Sequence, residues 1–157
     1  MAAVEELTSE FVSGFDTDKL DWIHLEGRTQ SADLIDYWIA VLGARPEDGR
    51  IDFLAKWEPN AYCHYHRHVG QTTSIVLEGE HHIVEESATE TIHKTRTVGH
   101  YACNPPGDVH MEYAGPEGSV LFFSMYAPDG NLFEVLDQDN NVLAVATIEK
   151  LIEGNLT

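Results

Sequence analysis

The stretch Asn60-Ala61-Tyr62-Cys63-His64-Tyr65-His66-Arg67-His68 decides how the rest of the chain is read. Side chains alternate faces along a strand, so an extended run here puts His64, His66 and His68 on one side. Residues two apart on a strand are separated by about 6.6 Å at the backbone. Imidazoles at that spacing can lean together onto one metal ion, each nitrogen at about 2.1 Å. By the same alternation Cys63 is expected to face away from them. A further ligand must come from elsewhere in the chain. The obvious donor is His110, which follows the turn Asn104-Pro105-Pro106-Gly107-Asp108, where proline and glycine restrict the backbone.

Working outward, the segments on both sides read as short strands. Ile35–Leu42 is β-branched and aromatic, and Gly43–Arg50 reads as a hairpin turn. Ile51–Trp57 partly alternates, and Glu58-Pro59-Asn60 ends it. Thr72–Leu77 is a strand closed by Glu78-Gly79-Glu80, with His81–Glu85 resuming beyond. Polar Glu86–Arg96 holds a turn and a short strand. The His110 strand stops at Ala114-Gly115-Pro116-Glu117-Gly118, read as a turn, and Ser119–Tyr126 follows as a central strand. Asn131–Leu136 and Val142–Ala146 flank the turn residues 137–141, and Thr147–Glu153 forms a closing helix. Many short strands with frequent turns mean an all-β sandwich or barrel. Residues 1–14 are expected to form a short amphipathic helix or a loose arm, and 15–31 an irregular start with one short strand. The division is therefore an N-terminal arm over 1–31 and a single domain over 32–157.

The motifs around the histidines resemble those of the cupin superfamily. Its first motif, G-x5-H-x-H-x3/4-E-x6-G, falls on Asn60, His66, His68, Thr72 and Gly79. Its second, G-x5-P-x-G-x2-H-x3-N, falls on Gly99, Pro105, Gly107, His110 and Ala114. The spacings hold throughout, while Asn60, Thr72 and Ala114 replace Gly, Glu and Asn. The resemblance implies a double-stranded β-helix, or jelly-roll barrel, with a short C-terminal helix and a metal held by His66, His68 and His110. An alternative register pairs His64 with His66, but it puts Gly79 one residue late. Thr72 stands where the family carries its carboxylate ligand. Three neutral imidazoles would then leave a divalent ion with a charge of +2 and an open position. His64, Thr72 and Glu112 are candidates for supporting the ligands from behind, Glu112 because it shares the parity of His110.

Within the superfamily, residues 60–152 resemble the small three-histidine dioxygenases, those like 2,4'-dihydroxyacetophenone dioxygenase and, more distantly, the acetylacetone-cleaving enzymes. The likeness lies in His66-Arg67-His68-Val69-Gly70, Val76-Leu77-Glu78-Gly79, Tyr101–His110 and Leu132–Asn140. It implies non-haem Fe(II), with O2 and a small carbonyl substrate, and cleavage of a C–C bond beside the carbonyl. The products are carboxylic acids, or a carboxylate and an aldehyde-type fragment. A set of three histidines also suits zinc, so a Zn or Ni lyase, isomerase or hydrolase, and a non-catalytic metal- or ligand-binding cupin, are the competing readings. Tyr62, Tyr101, Tyr113, Phe122, Phe123 and Met125 are candidates for lining a pocket. His81, His82, His93 and His100 read as surface or edge residues, except that one of His81 and His82 must point inward.

Composition narrows the partners. Nine Lys+Arg against 27 Asp+Glu give a formal charge of −18 over 157 residues, which repels nucleic acid and anionic membranes. The apolar runs are short for a membrane span, and the N-terminus has no signal-peptide pattern, so a cytoplasmic protein is expected. Cys63 and Cys103 make no disulfide framework and read as buried or partly buried free thiols. The cupin likeness implies a homodimer or homotetramer.

Overall fold

The computed structural model describes residues 20–157. The helix or arm expected over residues 1–14 lies outside them. The expected short strand within 15–31 is β1 (Trp22–Arg28), which runs antiparallel along β2 (Leu34–Arg45). Then come β3 (Arg50–Trp57), β4 (His66–His68), β5 (Gln71–Glu86), β6 (Thr91–Thr97), β7 (Tyr101–Asn104), β8 (Val109–Tyr126), β9 (Asn131–Leu136) and β10 (Val142–Thr147). A short helix, α1 (Ile148–Ile152), closes the chain as expected. Its Thr147 side chain accepts from the Lys150 N–H, and Ile148 and Leu151 are buried beneath it.

The strands form one curled sheet in the order β1-β2-β3-β8-β4-β9-β10, with β5 joining β8, β6 and β7. β8 is the spine. Its second half, from Ser119 to Tyr126, is flanked by β3 and β5. Its first half keeps β5 on one side but takes β4 on the other, pairing His110 with His66. The change of neighbour turns one sheet into two facing walls. Alternation fills the space between them: Ile51, Phe53, Ala55 and Trp57 of β3 are buried against Leu121, Phe123 and Met125 of β8. Phe53 stacks on Phe123 at 5.2 Å, a pair that adds about 0.5–1.5 kcal/mol beyond burial.

Two turns expected from sequence are bends inside long strands. Glu78-Gly79-Glu80 does not close β5, and residues 114–118 do not interrupt β8. The bends sit opposite one another, Gly79 paired with Ser119, and the register slips there between Val76 and Glu78 and between Gly79 and His81. Gly79 and Gly118 adopt φ +73° and +80°, and a Cβ on Gly79 would lie 2.0 Å from the Gly118 carbonyl oxygen. The glycines let both strands bend together without breaking the ladder. Similarly, β2 runs on to Arg45, so the turn expected over 43–50 shrinks to a 3-10 turn at Pro46–Asp48 with Gly49 left-handed.

The largest correction concerns the opening stretch. Only His66–His68 is regular strand, while residues 61–65 are held by single bridges from Tyr62 to Ile35 and Tyr113. Asn60, at a motif position that carries glycine, is left-handed at φ 59°, a conformation asparagine tolerates. Residues 63–65 lie in no named strand, and strict alternation fails there, since Cys63 and His66 are both buried.

Candidate metal centre

β4 and β8 bring the predicted ligands together. His66 and His68 point inward from β4, and their partner strand presents His110. All three are buried. The Nε2 atoms of His66 and His68 lie 3.0 Å apart, and those of His68 and His110 lie 3.1 Å apart. Two residues beyond His110, Glu112 turns Oε2 to 3.3 Å from His66 Nε2 and 3.7 Å from His110 Nε2. These four residues could hold one metal ion. Ligands about 2.1 Å from a common centre stand about 3.0 Å apart at right angles and about 3.4 Å apart at the tetrahedral angle. The observed spacings lie close to those values, so the donor set fits a divalent transition metal.

The outer ring nitrogens set the inner ones. His66 Nδ1 donates to the His64 carbonyl at 2.6 Å, which leaves Nε2 as a lone pair. Thr72 Oγ1 stands 2.9 Å from His68 Nδ1 and within reach of the Gly70 carbonyl at 3.3 Å. A hydroxyl that donates to Gly70 accepts from His68 and fixes the same tautomer. Thr72 thus supports His68 in place of supplying a ligand. His110 Nδ1 is buried with no partner among the described residues.

Glu112, expected to support the ligands from behind, stands with them in one buried group that could hold a metal. Burial alone would raise its pKa, but His110, His66 and His81 hold it well below the ordinary carboxylate range. Burial, together with the neighbouring His66 and His110, pushes His68 well below the usual histidine value. Burial also works against a charge on His66, yet Cys63 and Glu112 beside it raise its proton affinity well above the usual value. Against a divalent ion, the one carboxylate reduces the centre's formal charge from +2 to +1.

Other expectations changed with the irregular segment. Cys63 does not face away: it is buried, with Sγ 3.7 Å from His66 Nδ1 and 3.2 Å from the His64 carbonyl. Burial raises its pKa, while His66 beside it works the other way. Cys103 is exposed, against the expectation of burial, because it lies on the outer face of the short strand β7. His64 leaves the cluster and meets the Tyr37 hydroxyl through Nδ1 at 2.9 Å. Its carbonyl, not its ring, serves the metal ligands. His81 is the inward member of its pair, fully buried, with Nε2 3.2 Å from Glu112 Oε1. His82, His93 and His100 lie towards the outside, as expected, with His82 bonded to His93 at 2.9 Å.

The chamber around the cluster is small, about 40 Å³, with walls that include Tyr37, Phe53, Trp57, Phe123, Phe133 and Met125. Of the aromatic candidates, Phe123 and Met125 line it. Phe122 has the opposite parity on β8, and Tyr101 is exposed. Tyr62 and Tyr113 stack on each other at 4.8 Å in a separate outer groove of about 600 Å³. His64 lines both spaces and forms part of the wall between them.

A curled antiparallel barrel carrying three inward histidines at these motif positions is a cupin, here with a buried group able to hold a metal. The chain belongs to the ChrR cupin-like domain family, whose model matches residues 12–128. Comparison with curated proteins returns no match. Among solved structures, the fold is similar to a candidate acetylacetone dioxygenase from Methylibium petroleiphilum PM1, with TM-score 0.68, 18% identity, and 89% of this chain and 91% of that one covered. An acetylacetone dioxygenase from Acinetobacter johnsonii also has TM-score 0.68, at 14% identity over 90% of this chain and 87% of that one. An RmlC-like cupin from Ralstonia eutropha JMP134 has TM-score 0.66, at 17% identity over 91% and 86%. At these identities the likeness establishes the fold. Among the described residues no helix is long and apolar enough to cross a membrane.

Proposed function

We propose that this cupin is a non-haem Fe(II) dioxygenase that cleaves a C–C bond next to a carbonyl in a small diketone or hydroxyacetophenone-like compound. The observation that carries the reading is the convergence of His66, His68, His110 and Glu112 inside an aromatic-walled chamber. A ferrous ion bound there supplies Lewis acidity toward a chelating carbonyl compound and one-electron chemistry toward O2. The protein's part is to hold its ligands in one protonation state and to keep bulk water away. His64 and Thr72 fix the ring tautomers, and the Phe and Trp side chains dry the chamber. In the overall reaction the C–C bond breaks and both atoms of O2 pass to the carbon ends, giving two carboxylates or a carboxylate and an aldehyde-type fragment. Similarity to two structures described as acetylacetone dioxygenases supports this reading at the level of fold.

The chamber sets a size limit. About 40 Å³ holds a few waters, whereas a diketone needs more room. The wall at His64 is the place to gain it, because the large outer groove lies directly beyond. We place substrate entry there, with the carbonyl head toward the cluster. Metal analysis of protein purified without chelator should find iron, and O2 uptake should appear with a panel of small diketones and hydroxyketones. Iron-loaded protein that consumes no O2 with any of them would count against the reading.

Glu112 favours a second reading. A buried carboxylate beside a Lewis-acidic Zn or Ni ion suits a lyase, isomerase or hydrolase that needs no O2. Turnover of the same panel under anaerobic conditions separates the two. In either reading we expect a homodimer or homotetramer, which light scattering at several concentrations will show.

A further inference from the structure

We propose that His81, backed by Ser119, is a positioning residue that makes Glu112 bind the metal through one oxygen only. This rests on the cluster being a metal centre and goes on to say how its carboxylate is controlled. The two oxygens of Glu112 have different surroundings. Oε2 faces the histidine nitrogens, 3.3 Å from His66 and 3.7 Å from His110. Oε1 faces His81 Nε2 at 3.2 Å. Behind that ring, Ser119 Oγ stands 3.0 Å from His81 Nδ1.

The arrangement is built into the bend of the sheet. His81 is the first residue of β5 to pair with β8 after the bulge at Gly79, and Ser119 is the β8 residue opposite Gly79 itself. The two bends therefore bring a histidine and a serine to one point behind Glu112. Trp57 lies against His81 at 4.5 Å between ring centroids and blocks rotation of the imidazole. All of these side chains are buried, away from bulk solvent. A carboxylate that turned both oxygens to the metal would leave the His81 N–H unpaired in a dry core. The chain Ser119–His81–Glu112 thus favours single-oxygen ligation and leaves one more coordination position for an incoming ligand. With Thr72 at the usual carboxylate position of β5, the acid has moved to another strand, and this chain provides its support there.

The test uses the full-length protein, stripped of metal and titrated with Co(II), whose visible spectrum reports coordination number. His81→Phe keeps a packed ring and removes the donor. His81→Gln keeps an N–H near the place of Nε2. His81→Phe should weaken Co(II) binding by about 10- to 100-fold and alter the spectrum. His81→Gln should stay within about threefold of the parent with an unchanged spectrum. Equal Co(II) affinity and spectrum in the parent and His81→Phe overturns the proposal, and so does equal impairment of both variants. Should His81→Phe not fold, Ser119→Ala decides: a weaker affinity with a shifted spectrum supports the proposal, and parent-like binding overturns it. A parent protein that binds neither Co(II) nor Zn(II) removes the metal centre itself, a result distinct from the variant outcomes.

Discussion

At the scale of single residues, each histidine of the cluster is held differently. His66 leans on the carbonyl of His64, His68 on the hydroxyl of Thr72, and His110 on no outer partner among the described residues. Alanine at His66, His68 or His110 removes one of few ligands and is expected to abolish measurable metal retention after gel filtration. Thr72→Val keeps the shape and deletes the acceptor for His68, so metal affinity should fall about 10- to 100-fold with little change in fold, as read by calorimetric titration. The raised proton affinity of His66 gives a sign to pH dependence. A metal competes with the proton on His66, so affinity should rise with pH through and beyond the ordinary histidine value, and binding should release protons into the buffer. An affinity independent of pH would contradict the raised proton affinity of His66. At the inner wall, His64→Ala should join the outer groove to the chamber and raise kcat/KM for bulkier diketones relative to smaller ones.

At the scale of elements, function depends on two bent strands. β5 carries Thr72 before its bulge and His81 after it, and β8 carries His110 and Glu112 before its corner and the aromatic chamber wall after it. Gly79→Ala would force a Cβ into the Gly118 carbonyl from a left-handed backbone. Destabilisation of about 3 kcal/mol or more is expected, visible as a lower melting temperature of the metal-free protein. A melting temperature matching the parent would mean that the bend relaxes freely. Here periodicity had limited reach. Together with the turn residues that flank them, it located β3, β9, β10 and the closing helix. At residues 78–80 and 114–118 the glycine and Gly-Pro chemistry that ends strands elsewhere only bends them, because each bend has its counterpart across the ladder. Local composition holds no information about that pairing.

At the scale of the whole molecule, the chain carries a formal charge of −18, and its barrel buries the histidine and carboxylate cluster inside. The surface repels itself, so modest salt should raise the melting temperature by screening. A bound divalent cation stabilises by mass action, about 2.7 kcal/mol at a hundredfold excess over Kd. For a domain of this size that corresponds to a rise of about 5–11 °C, lost when a chelator is added, if folding is two-state.

By itself the sequence determined the barrel class and singled out His66, His68 and His110 as candidate ligands, because motif spacing and strand parity act over a few residues. Only the tertiary structure decided that a carboxylate joins them, that Cys63 lies beside His66, and that His64 turns to Tyr37. Those outcomes follow from an irregular approach to β4 and from two strands bending together. Such effects depend on which segments meet across the sheet, and adjacent residues do not record it.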